Sequence, residues 1–355
     1  MAKHFTELSI AAFRGIKDLD ITDLSDVNII VGDNNSGKTS ILEAIQLISD
    51  PVEYNFFRVA GLRVNTNSTS NVALIETTSS VMHKSTDDND NESYSLEISA
   101  VSTKENKNQS YIKATAKYVS VLTNTNELTF LELDFSSSNG IKSITQIGSP
   151  TLKHKSHLNF IEEMTRPLNY TPDVNVGALY AIDHVIGTDY EKIINNKSQT
   201  KKAINLLKGF NESIIDMRYL NKNGAAVPVV DTDIREAAPL SDYGDGLKKA
   251  LAMMGTLLKA ENGILLIDEY ESAIHPSAMN NVFSFILKAC KELNVQIFMT
   301  THSIEAIDKL LCCNEAELDN VRVITLKKKN GKTYSRIING LEAEQLRLNN
   351  EAELR

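Results

Sequence analysis

The chain has 355 residues, of which 42% are hydrophobic and 23% charged, a composition typical of a folded globular protein with one to three domains. Its formal net charge of −9 argues against a protein that coats nucleic acid over its whole surface. No apolar run approaches the roughly 20 residues that a membrane-spanning helix needs. The N-terminal MAKHFTELSI also lacks the apolar stretch of a signal peptide. We therefore expect a cytoplasmic protein without membrane association.

The N-terminal segment predicts three strands followed by a helix. Within residues 5–31, ELSIAAF and KDLDITDL alternate between apolar and polar residues, with a turn at Arg14-Gly15 between them. The continuous apolar run VNIIV is typical of a buried central strand. After a glycine-containing loop, TSILEAIQLIS has the spacing of an amphipathic helix, which Pro51 ends.

The middle of the chain changes character twice. Residues 51–91 are rich in Asn, Ser, Thr and Asp and end in an acidic run, which predicts exposed loops. Residues 93–148 contain short alternating segments separated by turn residues, which predicts an antiparallel β lobe. Residues 157–218 have apolar residues three and four apart, which predicts helices.

The C-terminal third alternates between helices and buried strands. Helical patterns from Leu247 onwards are separated by the apolar runs GILLID and VQIFMTT, and a hairpin is predicted around Asn330-Gly331. This alternation predicts a mostly parallel sheet that the middle of the chain interrupts. The predicted division is an α/β core at 1–50 and 236–355, a β lobe with exposed loops at 51–150 and a helical insertion at 151–235.

The loop between the third strand and the first helix has the pattern of a phosphate-binding site. GDNNSGKT follows an apolar strand and opens a helix, which is the context that this motif requires. Its backbone N–H groups and the positive end of the helix attract phosphate. We expect Lys38 to reach the β- and γ-phosphates of ATP and Thr39 to bind Mg²⁺ through its hydroxyl. The residues predicted to bind ATP here are Gly32, Asn34, Asn35, Ser36, Gly37, Lys38, Thr39 and Ser40.

Two later strand ends carry candidate catalytic residues. In GILLIDEYESAIHPS, four apolar residues precede Asp268, a candidate Mg²⁺ ligand, and Glu269, a candidate to orient or deprotonate the attacking water. His302 follows the next buried strand, one helix and one strand later. Parallel strands one βαβ unit apart are often neighbours, so we expect His302 near the γ-phosphate. An ordinary strand end and a structural histidine are the alternatives.

Together these motifs resemble the ABC-type ATPase heads, in the group that includes SMC proteins, RecF and the OLD-family ATPases. LSIAAFRGIKDLDI is similar to their opening strand, with its turn at Arg14 and Gly15, and DEYESAIH occupies the place of their Walker B and D-loop. The resemblance implies an ABC-ATPase head with a mostly parallel core sheet, an antiparallel β lobe and a helical insertion. It also implies nucleotide contacts from Arg14 and Ser272 and a switch role for His302.

The chain departs from the family pattern in two places. The signature LSGGQ is absent, and LSDYGDGLKKAL stands where it would be. We interpret Gly244, Asp245 and Gly246 as a variant signature at a helix N-terminus, with a plain glycine-rich helix start as the alternative. No glutamine is assigned to the Q-loop, because Gln46 lies within the first helix and Gln146 within the β lobe.

The family resemblance implies a mechanism in which ATP joins two subunits head to tail and hydrolysis releases them. No TOPRIM nuclease segment follows the last strand, so we expect a separate effector, a nuclease or another toxin, in bacterial anti-phage defence. A RecF-like role in DNA repair and a slowly hydrolysing scaffold are the alternatives. The run Lys327–Lys329 is interpreted as a solvated turn, with contact to nucleic acid or an acidic partner left open.

Overall fold

The computed structural model describes residues 4–62, 71–86, 92–102, 109–122, 127–147, 174–179, 197–208, 211–222, 225–243, 245–271, 279–313 and 315–348. The strands in these ranges are β1 (Phe5–Phe13), β2 (Ile16–Ile21), β3 (Val27–Gly32), β4 (His83–Thr86), β5 (Glu92–Ser102), β6 (Gln109–Leu122), β7 (Glu127–Ser137), β8 (Lys142–Ile147), β9 (Val176–Leu179), β10 (Ile214–Lys222), β11 (Ala225–Thr232), β12 (Ala238–Pro239), β13 (Ile264–Ile267), β14 (Gln296–Thr301), β15 (Val321–Lys329) and β16 (Lys332–Asn339). The α-helices are α1 (Lys38–Ser49), α2 (Glu53–Gly61), α3 (Asn71–Ser79), α4 (Lys197–Leu207), α5 (Asp245–Lys259), α6 (Met279–Glu292), α7 (Ile304–Cys313) and α8 (Gly340–Leu348). None of these helices is both long and apolar enough to cross a lipid bilayer.

A six-stranded sheet in the order β16-β15-β3-β14-β13-β9 forms the centre of the α/β part. All its neighbouring strands are parallel except β15 and β16, which form a hairpin through Asn330 and Gly331, both at positive φ. The continuous apolar run of β3 is buried throughout, because Val27 and Ile29 pack with α5 to α7 on one face while Ile30 packs with α1 on the other. The predicted parallel sheet and hairpin are confirmed.

A second, antiparallel sheet has the order β2-β1-β5-β6-β7-β8, with β4 also paired to β5. The predicted antiparallel strands of the β lobe are therefore present. The sheet also includes the β1–β2 hairpin, which the sequence grouped with the core segment 1–50, because β1 pairs with β5 in a register that places Ile10 opposite Ile98. The division of the chain into domains stays a prediction.

Helix α1 lies between the two sheets. Every residue of this helix except Thr39 is buried, including the polar side chains of Glu43 and Gln46. Its apolar side chains share one core cluster with Ile10 and Ile98 of the antiparallel sheet and with Phe298 of the parallel sheet. The helix that begins at the phosphate-loop pattern therefore connects the parallel sheet to the β lobe.

The exposed loops predicted for residues 51–91 are wrong for much of that range. Its described residues form α2, α3 and β4, and residues 63–70 and 87–91 lie outside the described ranges. Phe56 and Phe57 of α2 are fully buried, with ring centroids 5.1 Å apart in an edge-to-face contact. Phe56, Phe57, Val59 and Ala60 have the spacing of a buried helix face, and this pattern decides the structure despite the surrounding Asn and Ser residues.

The helical prediction for residues 157–218 is confirmed at α4 and wrong at two other places. Val176–Leu179 forms β9 and pairs with β13, and Ile214–Lys222 forms β10 and pairs with β11. In both segments, hydrogen bonding to a neighbouring strand overrides the weak helical spacing of a short apolar run. Residues 148–173 and 180–196, which include other predicted helices, lie outside the described residues.

A buried glutamine joins the two sheets at the start of β14. The Oε1 atom of Gln296 accepts hydrogen bonds from the backbone N–H groups of His4 and Phe5, at 3.0 and 2.9 Å. Its Nε2 atom donates to the carbonyl oxygens of Phe5 and Ser25, both at 2.8 Å. Gln296 is fully buried, and its side-chain amide donates two hydrogen bonds and accepts two. These bonds fix the start of β1 against the parallel sheet.

We expect Gln296→Leu to lower the free energy of unfolding by roughly 2–4 kcal/mol, because it leaves buried backbone groups without hydrogen-bond partners. The same substitution at the exposed Gln146 of β8 is the control and should change stability by less than about 0.5 kcal/mol. Urea unfolding followed by circular dichroism measures both. Equal effects of the two substitutions would contradict the role given to Gln296.

Candidate functional site

The loop from Gly32 to Gly37 joins β3 to α1 and has a backbone that only small or flexible residues adopt easily. Gly32, Asn35 and Gly37 have φ values of 149°, 62° and 105°. A Cβ atom on Gly32 would lie 2.6 Å from the carbonyl oxygen of Leu326, so a side chain there has no room. Among the described residues no side chain caps the start of α1. The N-terminal end of α1 can therefore attract an anion.

The Lys38 side chain folds back over this loop. Its Nζ atom donates to the carbonyl oxygens of Gly32 at 2.8 Å and Asp33 at 3.0 Å, and lies 3.4 Å from Nδ1 of His302. Burial lowers the pKa of Lys38, and the nearby carboxylates, led by Asp268 and then Glu269, act in the opposite direction. The ammonium group lies among oxygen acceptors that phosphate oxygens can replace without a large movement.

Asp268 connects α1 to the end of β14. Its carboxylate accepts a hydrogen bond from Oγ1 of Thr39, with the two oxygens at 2.9 and 3.2 Å. The buried Thr300 donates to the same carboxylate at 2.5 Å and accepts the backbone N–H of Glu269 at 2.8 Å. Thr300 is not among the site residues predicted from the sequence. Its only sequence signal is the Thr300-Thr301 pair that ends an apolar strand.

Glu269 and His302 lie side by side at the edge of this group. Glu269 has a left-handed backbone with φ of 47°, a conformation that costs a non-glycine residue about 1 kcal/mol. The hydrogen bond to Thr300 holds its backbone in place. Oε1 of Glu269 is 3.8 Å from Nε2 of His302, and the two side chains are 46% and 37% exposed. Both can therefore reach a ligand or solvent.

Glu271 supports the loop that carries His302. Its Oε1 atom accepts hydrogen bonds from Oγ1 of Thr301 at 2.7 Å and from the backbone N–H of His302 at 3.1 Å. The neighbouring Tyr270 is buried and packs on Phe283 with ring centroids 5.0 Å apart, which fixes the chain between Glu269 and Glu271. The sequence analysis did not assign a role to Glu271.

A cavity of about 550 Å³ opens at this edge of the parallel sheet. The predicted site residues that line it are Arg14, Asn34, Asn35, Gly37, Lys38, Thr39, Ser40, Asp268, Glu269 and His302. Gly15 and Lys328 also line it, and the sequence analysis did not assign them to the site. Gly32 and Ser36 belong to the same loop but lie outside the lining, and Ser36 is buried. The structure thus assembles most of the predicted site.

Arg14 lines the cavity, but its charge is already paired. Its Nε atom is 2.7 Å from Oε2 of Glu43 on α1, and the two side chains are 7% and 1% exposed. One of its terminal nitrogens also donates to the carbonyl oxygen of Val59 at 3.2 Å. The guanidinium group therefore connects the β1–β2 turn to α1 and α2, and the predicted nucleotide contact of Arg14 stays a prediction.

The predicted variant signature is only partly described. Gly244 and Ser272 lie outside the described residues. Asp245 and Gly246 open α5, at the helix N-terminus that the sequence predicts. Their assignment to ATP binding stays a prediction.

The arrangement fits a nucleotide phosphate chain with Mg²⁺. The loop offers backbone N–H groups and an ammonium group, and Thr39 and Asp268 offer adjacent hard oxygen ligands, which Mg²⁺ prefers. The described residues contain no cluster of three or more His, Cys, Asp and Glu side chains that could hold a metal by themselves. Mg²⁺ commonly takes one or two protein ligands and completes its octahedral shell with water and substrate phosphates.

Comparisons with known proteins agree with this geometry. The family model described as "AAA domain, putative AbiEii toxin, Type IV TA system" matches residues 27–308, well over half of the chain. The ATP/GTP phosphatase of Helicobacter pylori is 27% identical over 324 residues, which cover 85% of this chain and 86% of that protein. The DNA replication and repair protein RecF of Nitrosococcus oceani is 49% identical over 45 residues, 13% of this chain and 12% of that protein.

A solved structure extends the likeness to the whole fold. The Smc head domain derived from Pyrococcus furiosus, bound to the C-terminal domain of ScpA, matches with a TM-score of 0.53 at 10% identity, over 98% of this chain and 100% of that one. The predicted fold class, an ABC-ATPase head, is confirmed. The chain belongs to the family described as "AAA domain, putative AbiEii toxin, Type IV TA system", and it has the ABC-ATPase head fold that the Smc head shows.

Proposed function

We propose that the protein binds and hydrolyses ATP, that ATP joins two copies of it head to tail, and that this change controls a separate effector protein in bacterial anti-phage defence. The observation that carries the ATPase proposal is the contact between Thr39 and Asp268 at 2.9 Å, beside the loop that Lys38 covers. It brings a hydroxyl and a carboxylate from distant parts of the chain together, next to an anion-binding helix end. The name of the Helicobacter pylori relative, ATP/GTP phosphatase, supports hydrolysis.

Each residue has a separate part in the proposed reaction. The loop N–H groups and Lys38 bind the phosphate chain. Thr39 and Asp268 would hold Mg²⁺, which would neutralise negative charge on the phosphates. Glu269 orients the attacking water and takes its proton as a bond forms to the γ-phosphorus. The bond from that phosphorus to the bridging oxygen breaks, and ADP leaves. His302 contacts the γ-phosphate.

The exposure of the reacting groups supports joining of two copies. Glu269 and His302 are 46% and 37% exposed at the edge of the cavity, so solvent reaches both side chains in a single copy. Phosphoryl transfer is faster where bulk water is excluded and charges are fixed in place. A second copy that covers this edge would provide that environment, with Gly244, Asp245, Gly246 and Ser272 as its contact residues.

The effector part of the proposal rests on the relatives. The matching family description names a toxin and a toxin–antitoxin system, and the Smc head was solved bound to ScpA, a different protein. These are properties of those proteins, and they support a partner protein for this one. Cytoplasmic location and the absence of membrane contact also stay predictions.

A RecF-like role on DNA is the second candidate. The match to RecF over 45 residues favours it, and the net charge of −9 confines any DNA contact to a local basic surface. DNA affinity that increases with ATP and decreases steeply with salt would support this role. A stable ATP-bound oligomer with very slow turnover would instead support a nucleotide-held scaffold.

The mass of the protein in the presence of Mg²⁺ and ATP tests joining by ATP. Glu269→Gln keeps the binding residues but removes the proposed proton acceptor, so it should accumulate as a dimer or larger assembly, while the wild type returns to its starting mass as ATP is consumed. Lys38→Ala should remain at the starting mass, because it lacks the phosphate-binding ammonium group. Size-exclusion chromatography with light scattering measures all three.

The masses of the three proteins and the ATP turnover of the wild type test joining by ATP and hydrolysis separately. Accumulation of Glu269→Gln alone supports an ATP-dependent switch, and the trapped form can then be used to capture the effector. An unchanged mass for all three proteins, with normal ATP turnover by the wild type, would overturn joining by ATP and leave the ATPase proposal intact. The absence of ATP turnover by the wild type would count against hydrolysis itself.

We also expect Glu271 to act as a positioning residue for His302. Glu271→Ala removes the acceptor of the His302 N–H, so we expect kcat to decrease about tenfold while KM for ATP changes less than about twofold. Glu271→Gln retains an acceptor oxygen and should recover part of kcat. Glu305→Ala, which removes an equal charge from the start of α7, is the control. A KM for ATP that increases as much as kcat decreases, or an unchanged kcat, would contradict this role.

A further inference from the structure

Lys328 lines the cavity from β15, the strand that pairs with β3. In the strand register Leu326 pairs with Gly32, so Lys328 lies two residues beyond the end of β3, at the same edge of the sheet as the loop. Its Nζ atom donates to the carbonyl oxygen of Gly15 at 3.0 Å. The lysine run that the sequence predicted to be a solvated turn therefore places one ammonium group in the cavity wall.

Lys328 changes the balance of charge in the cavity lining. Among the described lining residues, Lys38 faces the carboxylates of Asp268 and Glu269, while the charge of Arg14 is paired with the buried Glu43. Without Lys328 the cations and carboxylates of the lining would balance two against two, but the charge of Arg14 is already offset by Glu43 and a nucleotide brings further negative charge. Lys328 adds a positive charge that no described carboxylate offsets.

The ammonium group of Lys328 also has donors to spare. Its one described hydrogen bond is to a backbone carbonyl, and no described carboxylate forms an ion pair with it. An ammonium group has three N–H donors, so it can keep the bond to Gly15 and still donate to an anion. Lys327 and Lys329 differ, because successive side chains of a strand point to opposite faces and neither lines the cavity.

We propose that Lys328 is a second phosphate-binding cation of this cavity, which donates to the phosphate chain of the nucleotide in addition to Lys38. This inference rests on the proposed ATP binding and names a contact that the phosphate-loop pattern does not include. Its ligand is the charged phosphate chain, because an ammonium group binds anions as a point charge. The neutral adenosine part is not recognised by it.

The test compares three lysines that are adjacent in the sequence. Isothermal titration calorimetry with ATP and Mg²⁺ should give a Kd about tenfold weaker for Lys328→Gln than for the wild type, the size expected for one charge-assisted hydrogen bond. Lys327→Gln and Lys329→Gln remove the same charge outside the cavity and should stay within about twofold. Lys328→Arg keeps the charge and should lose less than Lys328→Gln. Binding of adenosine should be the same for all variants.

The outcomes separate this inference from the proposed function. If the wild type binds ATP and Lys328→Gln matches the two control variants, the inference is wrong and ATP binding stands. If Lys328→Gln weakens the binding of adenosine as much as the binding of ATP, the residue contacts the nucleoside and the phosphate assignment is wrong. If the wild type does not bind ATP, both proposals are overturned. Lys328 is exposed, so melting temperatures of the variants should match that of the wild type.

Discussion

The carboxylate of Asp268 is the constraint on which the rest of the site depends. It accepts hydrogen bonds from Thr39 at the start of α1 and from Thr300 at the end of β14, and Thr300 in turn holds the backbone of Glu269. Three chain segments that are distant in sequence are therefore fixed by one acidic group. Two hydroxyl donors would lose their acceptor if this carboxylate moved, and an unmade hydrogen bond at a buried group such as Thr300 is costly.

The same helix that contributes Thr39 also connects the two sheets. Glu43, one turn further along α1, is 1% exposed and paired with Arg14 of the β1–β2 turn. Removing one partner of a buried pair typically costs about 3–5 kcal/mol, although an apolar replacement of both can be neutral. The pair therefore fixes geometry more than it adds stability. Lys328 donates to Gly15 of the same turn, so this turn contacts both α1 and β15.

Sequence patterns were sufficient where one strong local signal decides the structure. The continuous apolar run of β3, the glycine spacing of the loop and the Asn330-Gly331 turn each have a single low-energy solution. The patterns failed at β9 and β10, where partners distant in sequence decide, and at α2, where buried Phe residues outweigh polar neighbours. Thr300, Glu271 and Lys328 were missed because partners distant in sequence decide their roles: Thr300 contacts Asp268, Glu271 contacts Thr301, and the pairing of β15 with β3 places Lys328 at the cavity.

The acidic character of the chain constrains how two copies can join. With a net charge of −9 each, two copies repel one another at distances up to the screening length of about 8–10 Å at physiological salt. In the proposed assembly, long-range attraction would therefore not bring two copies together, and short-range contacts would have to do so. Lys38, Lys328, Asp268 and Glu269 line the cavity, so it offers cations and anions for such contacts around a bound polyphosphate. The proposed switch, in which ATP decides between one copy and two, is compatible with this balance of charge.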